Sequence, residues 1–129
     1  MEMLLGGDCY YYHTELMMKD PKVGGAHLWH QDFGYWCNNG CCFPYMGTAF
    51  ITIDKMDSRN AGLKLVRGSH KLGLVQHHMT GGQAEMDATK LGWAREHGLE
   101  EIQLEMEPGD VRSHPPPNRA HPRALHAAH

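Results

Sequence analysis

The 129-residue chain has no apolar run approaching the ~20 residues needed to cross a bilayer, so no transmembrane helix is expected. It is also short of basic charge. Twelve Lys and Arg stand against fifteen Asp and Glu, a net charge of −3, and no basic stripe exists to neutralise nucleic-acid phosphates. Met1 to Gly7 offers neither a basic leader nor a long apolar stretch, so a secretory signal is not expected. The expectation is a soluble, intracellular, cytoplasmic protein. Without a secretory route the four cysteines do not read as a disulfide framework. Cys37, Cys41 and Cys42 lack a second paired set at zinc spacing, so thiols in a loop are expected rather than a zinc site. No internal repeat is visible.

What remains is enough for one domain. The hydrophobic fraction of 41% supports a modest core, and eleven histidines are unusual for this length. Cys9–Met18, rich in Tyr and apolar residues, is the first strand candidate and is broken by a turn at 19–25, and the next strand follows it. A strand is expected over Ala26–Trp36, followed by the Asn38-Asn39-Gly40 turn. A third is expected from Gly47 to Asp54, with Ala49, Ile51 and Ile53 on one face and Phe50, Thr52 and Asp54 on the other. Asp57–Gly62 turns the chain into a short strand, Leu63–Val66. Gln83–His97 holds Thr89 as its sole β-branched residue and reads as a surface helix ended by Gly98. Ile102, Leu104 and Met106 alternate with polar residues in a further strand, and Glu107-Pro108-Gly109-Asp110 is a turn. Short strands with regular turns predict a mainly β sandwich or barrel. Beyond residue 111 the chain is rich in His, Pro and Ala, and Pro115-Pro116-Pro117 cannot supply ladder hydrogen bonds. Residues 112–129 are therefore expected as a disordered or polyproline-like tail to a domain spanning 1–111.

His30-Gln31-Asp32 carries the chemistry. On a strand, residues two apart share a face, so imidazole and carboxylate would converge. Two histidines and one carboxylate hold Fe(II) on one octahedral face and leave three positions open. The flanking residues are more specific. Trp29-His30-Gln31-Asp32-Phe33-Gly34-Tyr35-Trp36, then Asn60-Ala61-Gly62-Leu63-Lys64-Leu65-Val66-Arg67-Gly68-Ser69-His70-Lys71, then Glu107-Pro108-Gly109-Asp110-Val111, occur in that order.

This series resembles the phytanoyl-CoA dioxygenase family of Fe(II)/2-oxoglutarate oxygenases, over roughly Tyr10 to Val111. The resemblance implies a double-stranded β-helix (jelly roll), here incomplete and with a short helical insertion. It implies His30 and Asp32 as catalytic iron ligands, 2-oxoglutarate as co-substrate, and dioxygen with a small molecule (an acyl-CoA or a small metabolite) as partners. Phe50 stands where the family has an aromatic residue lining the 2-oxoglutarate pocket, with Glu15 and Lys19 near other co-substrate contacts; a core role for Phe50 and a solvated turn for Lys19 are the alternatives. Gly68-Ser69-His70-Lys71 reads as a structural turn, and His77 and His78 as loop residues. A carboxylate at Asp32 implies hydroxylation, since related halogenases carry a small residue there.

The family's third ligand lies about a dozen residues beyond the Pro-Gly-Asp turn. His121 is at about that distance and His114 is the other candidate; His126 and His129 read as tail residues. The downstream basic residue that would pair the distal carboxylate of 2-oxoglutarate has no clear counterpart beyond Arg123. N-terminal elements usual in the family are also missing, so an incomplete or altered member is expected. The function expected is a hydroxylase. The alternatives are a non-catalytic remnant acting as a binding module, or a metal-binding protein using the Cys and His clusters.

Overall fold

The computed structural model describes residues 1–20, 22–23, 25–60, 62–114 and 125–128, with the backbone alone at 114 and 125–128. Among these residues the chain forms eight short strands and three helices, so it is mainly β. Helix α1 (Glu2–Leu5) is followed, among the described residues up to 26, by irregular chain, so the strand expected over Cys9–Met18 does not form. There Tyr10 is 86% and Met18 83% exposed, so the Tyr-rich segment packs little of its apolar surface.

Strand β1 (His27–Gln31) ends sooner than expected. Asp32 begins a six-residue helix, α2 (Asp32–Cys37). The aromatic run 33–36 looked strand-like because Phe, Tyr and Trp favour pleated surfaces. Gly34 permits the close packing of this helix: a Cβ there would collide with the His77 ring and the Val75 carbonyl oxygen, so α2 can lie this close only without one.

Strand β3 (Leu63–Val66) forms where expected, and β2 (Thr48–Ile51) forms over half of the expected Gly47–Asp54 span. They are joined by a turn in which Asp57 accepts from the Arg59 amide and Asn60 from the Asp57 amide. On β2 the inward side chains are Thr48 and Phe50, while Ile51 and Ile53 are about two-thirds exposed. Gly68 then enters a 3₁₀ turn (Ser69–Leu72) at φ +82°, and the buried Ser69 hydroxyl donates to the Val66 carbonyl at 2.6 Å, which makes this the structural turn anticipated.

The first four residues of the helix expected over 83–97 are strand. His77–Thr80 (β4) and Gln83–Met86 (β5) pair as a hairpin through Gly81 and Gly82, both at positive φ, the requirement of a two-residue primed turn. His77 and His78 therefore lie on a strand, not in a loop. The helix proper, α3 (Ala88–Glu96), starts at Asp87, whose carboxylate accepts from the Thr89 amide, and ends before Gly98 at φ +75°. Strand β6 (Glu101–Gln103) is shorter than predicted, yet Leu104 and Met106 stay bonded to Leu63 and Met56 and are buried. The Glu107–Asp110 turn closes with Asp110 N–H donating to the Glu107 carbonyl and Gly109 at φ +88°.

The segment after residue 111, expected as a disordered tail, supplies two strands. β7 (Val111–His114) leaves the Pro-Gly-Asp turn directly and pairs antiparallel with β2. β8 (Leu125–Ala128) fills the slot between β1 and β3, giving a four-stranded antiparallel sheet in the order β1-β8-β3-β6. Pro115–Pro117 lie outside the described residues.

Two apolar clusters flank this sheet. Val66, Val75, Met86, Leu91 and Ala94 pack on one face with Trp29, Leu72 and Leu99. Leu63, Leu65, Leu104 and Met106 pack on the other with Phe50, between the sheet and the β2–β7 ladder. Strand β3 serves both, because alternate side chains point to opposite faces. Met86 is 1% exposed in the first cluster. Met86→Ala is expected to cost about 2–5 kcal/mol in a urea-unfolding measurement; a loss below about 1 kcal/mol would mean this cluster does not hold the fold.

Candidate active site

His30 is the fourth residue of β1, and cross-strand register sets it in one row with His126, Leu65 and Ile102. Directly opposed residues of antiparallel strands share a face. Leu65 packs toward the β2–β7 ladder, so His30 belongs to the same inner side, while its neighbour Trp29 packs in the opposite cluster.

The imidazole orientation is set locally. Nδ1 is 2.7 Å from the Leu28 carbonyl oxygen, which can only accept, so Nδ1 donates and in the neutral ring the lone pair sits on Nε2. Nε2 lies 3.8 Å from Asp32 Oδ1, with both side chains largely shielded at 22% and 14% exposure. The other carboxylate oxygen, Oδ2, accepts from the Thr48 hydroxyl at 2.8 Å. Asp32 thus meets His30 from the first turn of α2, not from the same strand as the i, i+2 argument supposed. Adjacent donors about 2.1 Å from one octahedral ion are about 3 Å apart, so this pair lies within about 1 Å of a shared coordination geometry. An imidazole, a carboxylate and a partner bond behind each are the donor chemistry of such a site.

Gln31, between the two, has no exposed surface. Its amide nitrogen donates to the Gly73 carbonyl at 2.9 Å and its amide oxygen accepts from the Val75 N–H at 3.1 Å. The open edge of β1 is closed by side chains rather than by a strand. Gln83 accepts from the Leu28 N–H and donates to the Ala26 carbonyl, both at 3.2 Å. His77 Nε2 accepts from the Gln31 N–H at 2.9 Å while its Nδ1 donates to the Val75 carbonyl at 2.8 Å. Both ring nitrogens of His77 are occupied by backbone, which makes it a support and not a ligand. Thr48 was not singled out in the sequence, Gln31 and Gly34 stood there only as part of the motif, and His77 was read as a loop residue; the Gly81-Gly82 hairpin signal could have placed His77 on a strand.

Phe50 packs against the inner cluster. Glu15 is exposed and Lys19 half-buried, its pKa lowered by burial. His27 is lowered first by burial, then by the charges of Lys19 and His30, with Glu15 opposing, which puts these groups in electrostatic reach of one another. The backbone of His114 is opposite Thr48 and that of His126 opposite His30; His121, Arg123 and His129 lie outside the described residues. His78 pairs across the hairpin with Glu85 at 3.4 Å. Cys41 and Cys42 donate weakly to carbonyls within their own loop. Among the described residues no three His, Cys, Asp or Glu side chains group closely enough to hold a metal, and no helix is long and apolar enough to cross a membrane.

The family model described as phytanoyl-CoA dioxygenase (PhyH) matches residues 2–129. The chain belongs to the phytanoyl-CoA dioxygenase family. Within the curated proteins it is similar to L-proline trans-4-hydroxylase of Streptomyces griseoviridis, 36% identical over 76 residues, which are 58% of this chain. Those residues span 28% of that relative, so the chain corresponds to less than a third of its length. Since the match to the family reaches residue 129, it takes in the two strands that composition had assigned to a tail.

The bonds of His77 give the site a pH signature. Burial lowers its pKa below the ordinary 6.5, outweighing the Val75 bond, and protonation would add a hydrogen to the nitrogen that accepts from Gln31. A base whose folded pKa is depressed contributes stability present above its unfolded pKa and lost as pH falls through 6.5 toward the folded value. The urea midpoint should fall between about pH 7.5 and about pH 5.5, and fall less in His77→Gln. Equal slopes for the two proteins would show that His77 is not held neutral.

Proposed function

We propose that this chain carries the metal-binding part of an Fe(II)- and 2-oxoglutarate-dependent hydroxylase on a double-stranded β-helix, with His30 and Asp32 as two of the iron ligands. The observation that carries the reading is the approach of His30 Nε2 to Asp32 Oδ1, with Leu28 and Thr48 holding the far atoms of both groups. Family membership and the likeness to a hydroxylase support it.

For the third ligand, His121 has the spacing from the Pro-Gly-Asp turn and His114 is set opposite Thr48. To these we add His126, whose backbone stands across from His30. Bound Fe(II) would supply the redox chemistry, in which the two atoms of dioxygen end as a substrate hydroxyl and in the succinate left when 2-oxoglutarate loses CO₂. The protein's own contribution is positional. Leu28 keeps the His30 lone pair on Nε2, Thr48 keeps Asp32 turned inward, and Gln31 fixes the junction between them. Phe50 would wall the co-substrate pocket, with Glu15 and Lys19 at its mouth. The relative's name makes a free amino acid such as L-proline the first substrate to test and the family's name makes an acyl-CoA the second.

The competing reading is a binding module without turnover. It draws on the two donors, rather than three, that come together among the described residues. One assay separates the readings. Fe(II)-loaded full chain with 2-oxoglutarate and L-proline should form succinate, and His30→Ala and Asp32→Ala should each reduce it to background. Thr48→Val should weaken Fe(II) affinity by about 10-fold to 100-fold, as expected when the partner behind a ligand is removed. Iron binding with no succinate would favour the binding module, and iron binding unchanged in both alanine variants would exclude this site.

A further inference from the structure

Arg112 on β7 is directly opposite Phe50 on β2, so the two leave the ladder on the same face. Phe50 packs on the inner cluster, and Arg112 therefore projects toward the four-stranded sheet. Between the ladder and the sheet lies a solvent-open cavity of about 560 Å³. Leu65, Ile102 and Leu104 form its apolar floor, and Arg112, Ser113 and Arg67 contribute to its walls. The two arginines differ. Arg67 is engaged by Glu100 at 3.2 Å, whereas Arg112 makes no ion pair or side-chain hydrogen bond among the described residues. A guanidinium presents five N–H donors in a fork that matches a carboxylate. A fork beside an apolar floor, in a space of small-molecule size, suits a ligand with one anionic end and an apolar body. Glu105, also lining the cavity, disfavours a second negative charge on that ligand.

We propose that this cavity binds a small monocarboxylic acid, with its carboxylate held by Arg112 and its chain laid over Leu65, Ile102 and Leu104. Thr48, which binds Asp32, is two residues from Phe50, so Arg112 stands about 7 Å further along the ladder than the Asp32–Thr48 bond. An acid held there has its far end directed along the inner face shared with His30. The binding itself requires no metal, so it can fail or hold independently of the hydroxylase reading.

The test uses the metal-free full chain, with hexanoate and the isosteric uncharged hexanamide as probes, followed by methyl chemical shifts. Hexanoate should bind about tenfold more tightly than the amide, the usual worth of a charge-assisted pair in a partly shielded site, and shift the Leu65 and Ile102 methyls. In Arg112→Gln the difference between acid and amide should vanish. Equal affinity of the two probes for the unaltered chain would overturn the proposal, with no variant needed. So would hexanoate affinity unchanged in Arg112→Gln, or shifts confined to other methyls. Displacement of hexanoate by 2-oxoglutarate would show the pocket to be the dicarboxylate co-substrate's and overturn the monocarboxylate assignment; simultaneous binding of the two would support it.

Discussion

One buried amide holds the junction from which the candidate site is built. Gln31 has no exposed surface, and its side chain bridges the Gly73 carbonyl and the Val75 N–H across some forty residues of sequence. A buried amide is costly unless both ends are paired, so this arrangement is close to all-or-none. While it holds, β1 cannot slide, since a slip of one residue would carry Gln31 to the inner face and His30 to the outer. The Gln31 N–H, held by His77, ties the same residue to the β4–β5 hairpin. His30 and Asp32 flank Gln31 on either side, and their convergence depends on the strand stopping here and α2 starting here.

The two donors are each held from behind by an unlike group. A backbone carbonyl orients His30 and a hydroxyl orients Asp32. The Leu28 carbonyl belongs to β1 itself, so the imidazole is set by local strand geometry. Thr48 belongs to β2, so the carboxylate is set by how the ladder meets the sheet. Thr48 is also paired with His114 and lies two residues from Phe50. The β2–β7 ladder thus serves three ends: it orients Asp32, it contributes Phe50 to the inner cluster, and it places Arg112 over the cavity.

Much of this was legible in the sequence where local signals agreed. The Leu63–Val66 strand, the Gly68-Ser69 turn and the Pro-Gly turn at 108–109 follow from alternation and from glycines at positive φ. His30 and Asp32 were found from their motif, although the reason given, two residues of one strand, was not the geometry adopted. Legibility failed where tertiary contacts overrode propensity. Gln83-Ala84-Glu85-Met86 has helix-favouring composition but pairs with β4, because Gly81-Gly82 makes the tight turn and Met86 gains burial. The aromatic run after Asp32 is helical and packs against His77, a close approach that Gly34 permits. The His-, Pro- and Ala-rich C-terminal segment gave no periodicity, yet β8 is accepted between β1 and β3, whose facing edges supply its hydrogen bonds. Such pairing is non-local and leaves no mark on the segment's own composition.

The central claim is that His30 and Asp32 bind one metal ion through His30 Nε2, with Nδ1–H directed at Leu28. The most direct measurement is proton NMR of the Co(II)-loaded chain, in which an imidazole N–H of a coordinated histidine is strongly shifted and exchanges with solvent. Such a resonance is expected from His30, absent in His30→Ala and retained in His77→Gln. A Co(II)-loaded chain without a shifted exchangeable resonance, or one whose resonances all survive His30→Ala, would contradict it.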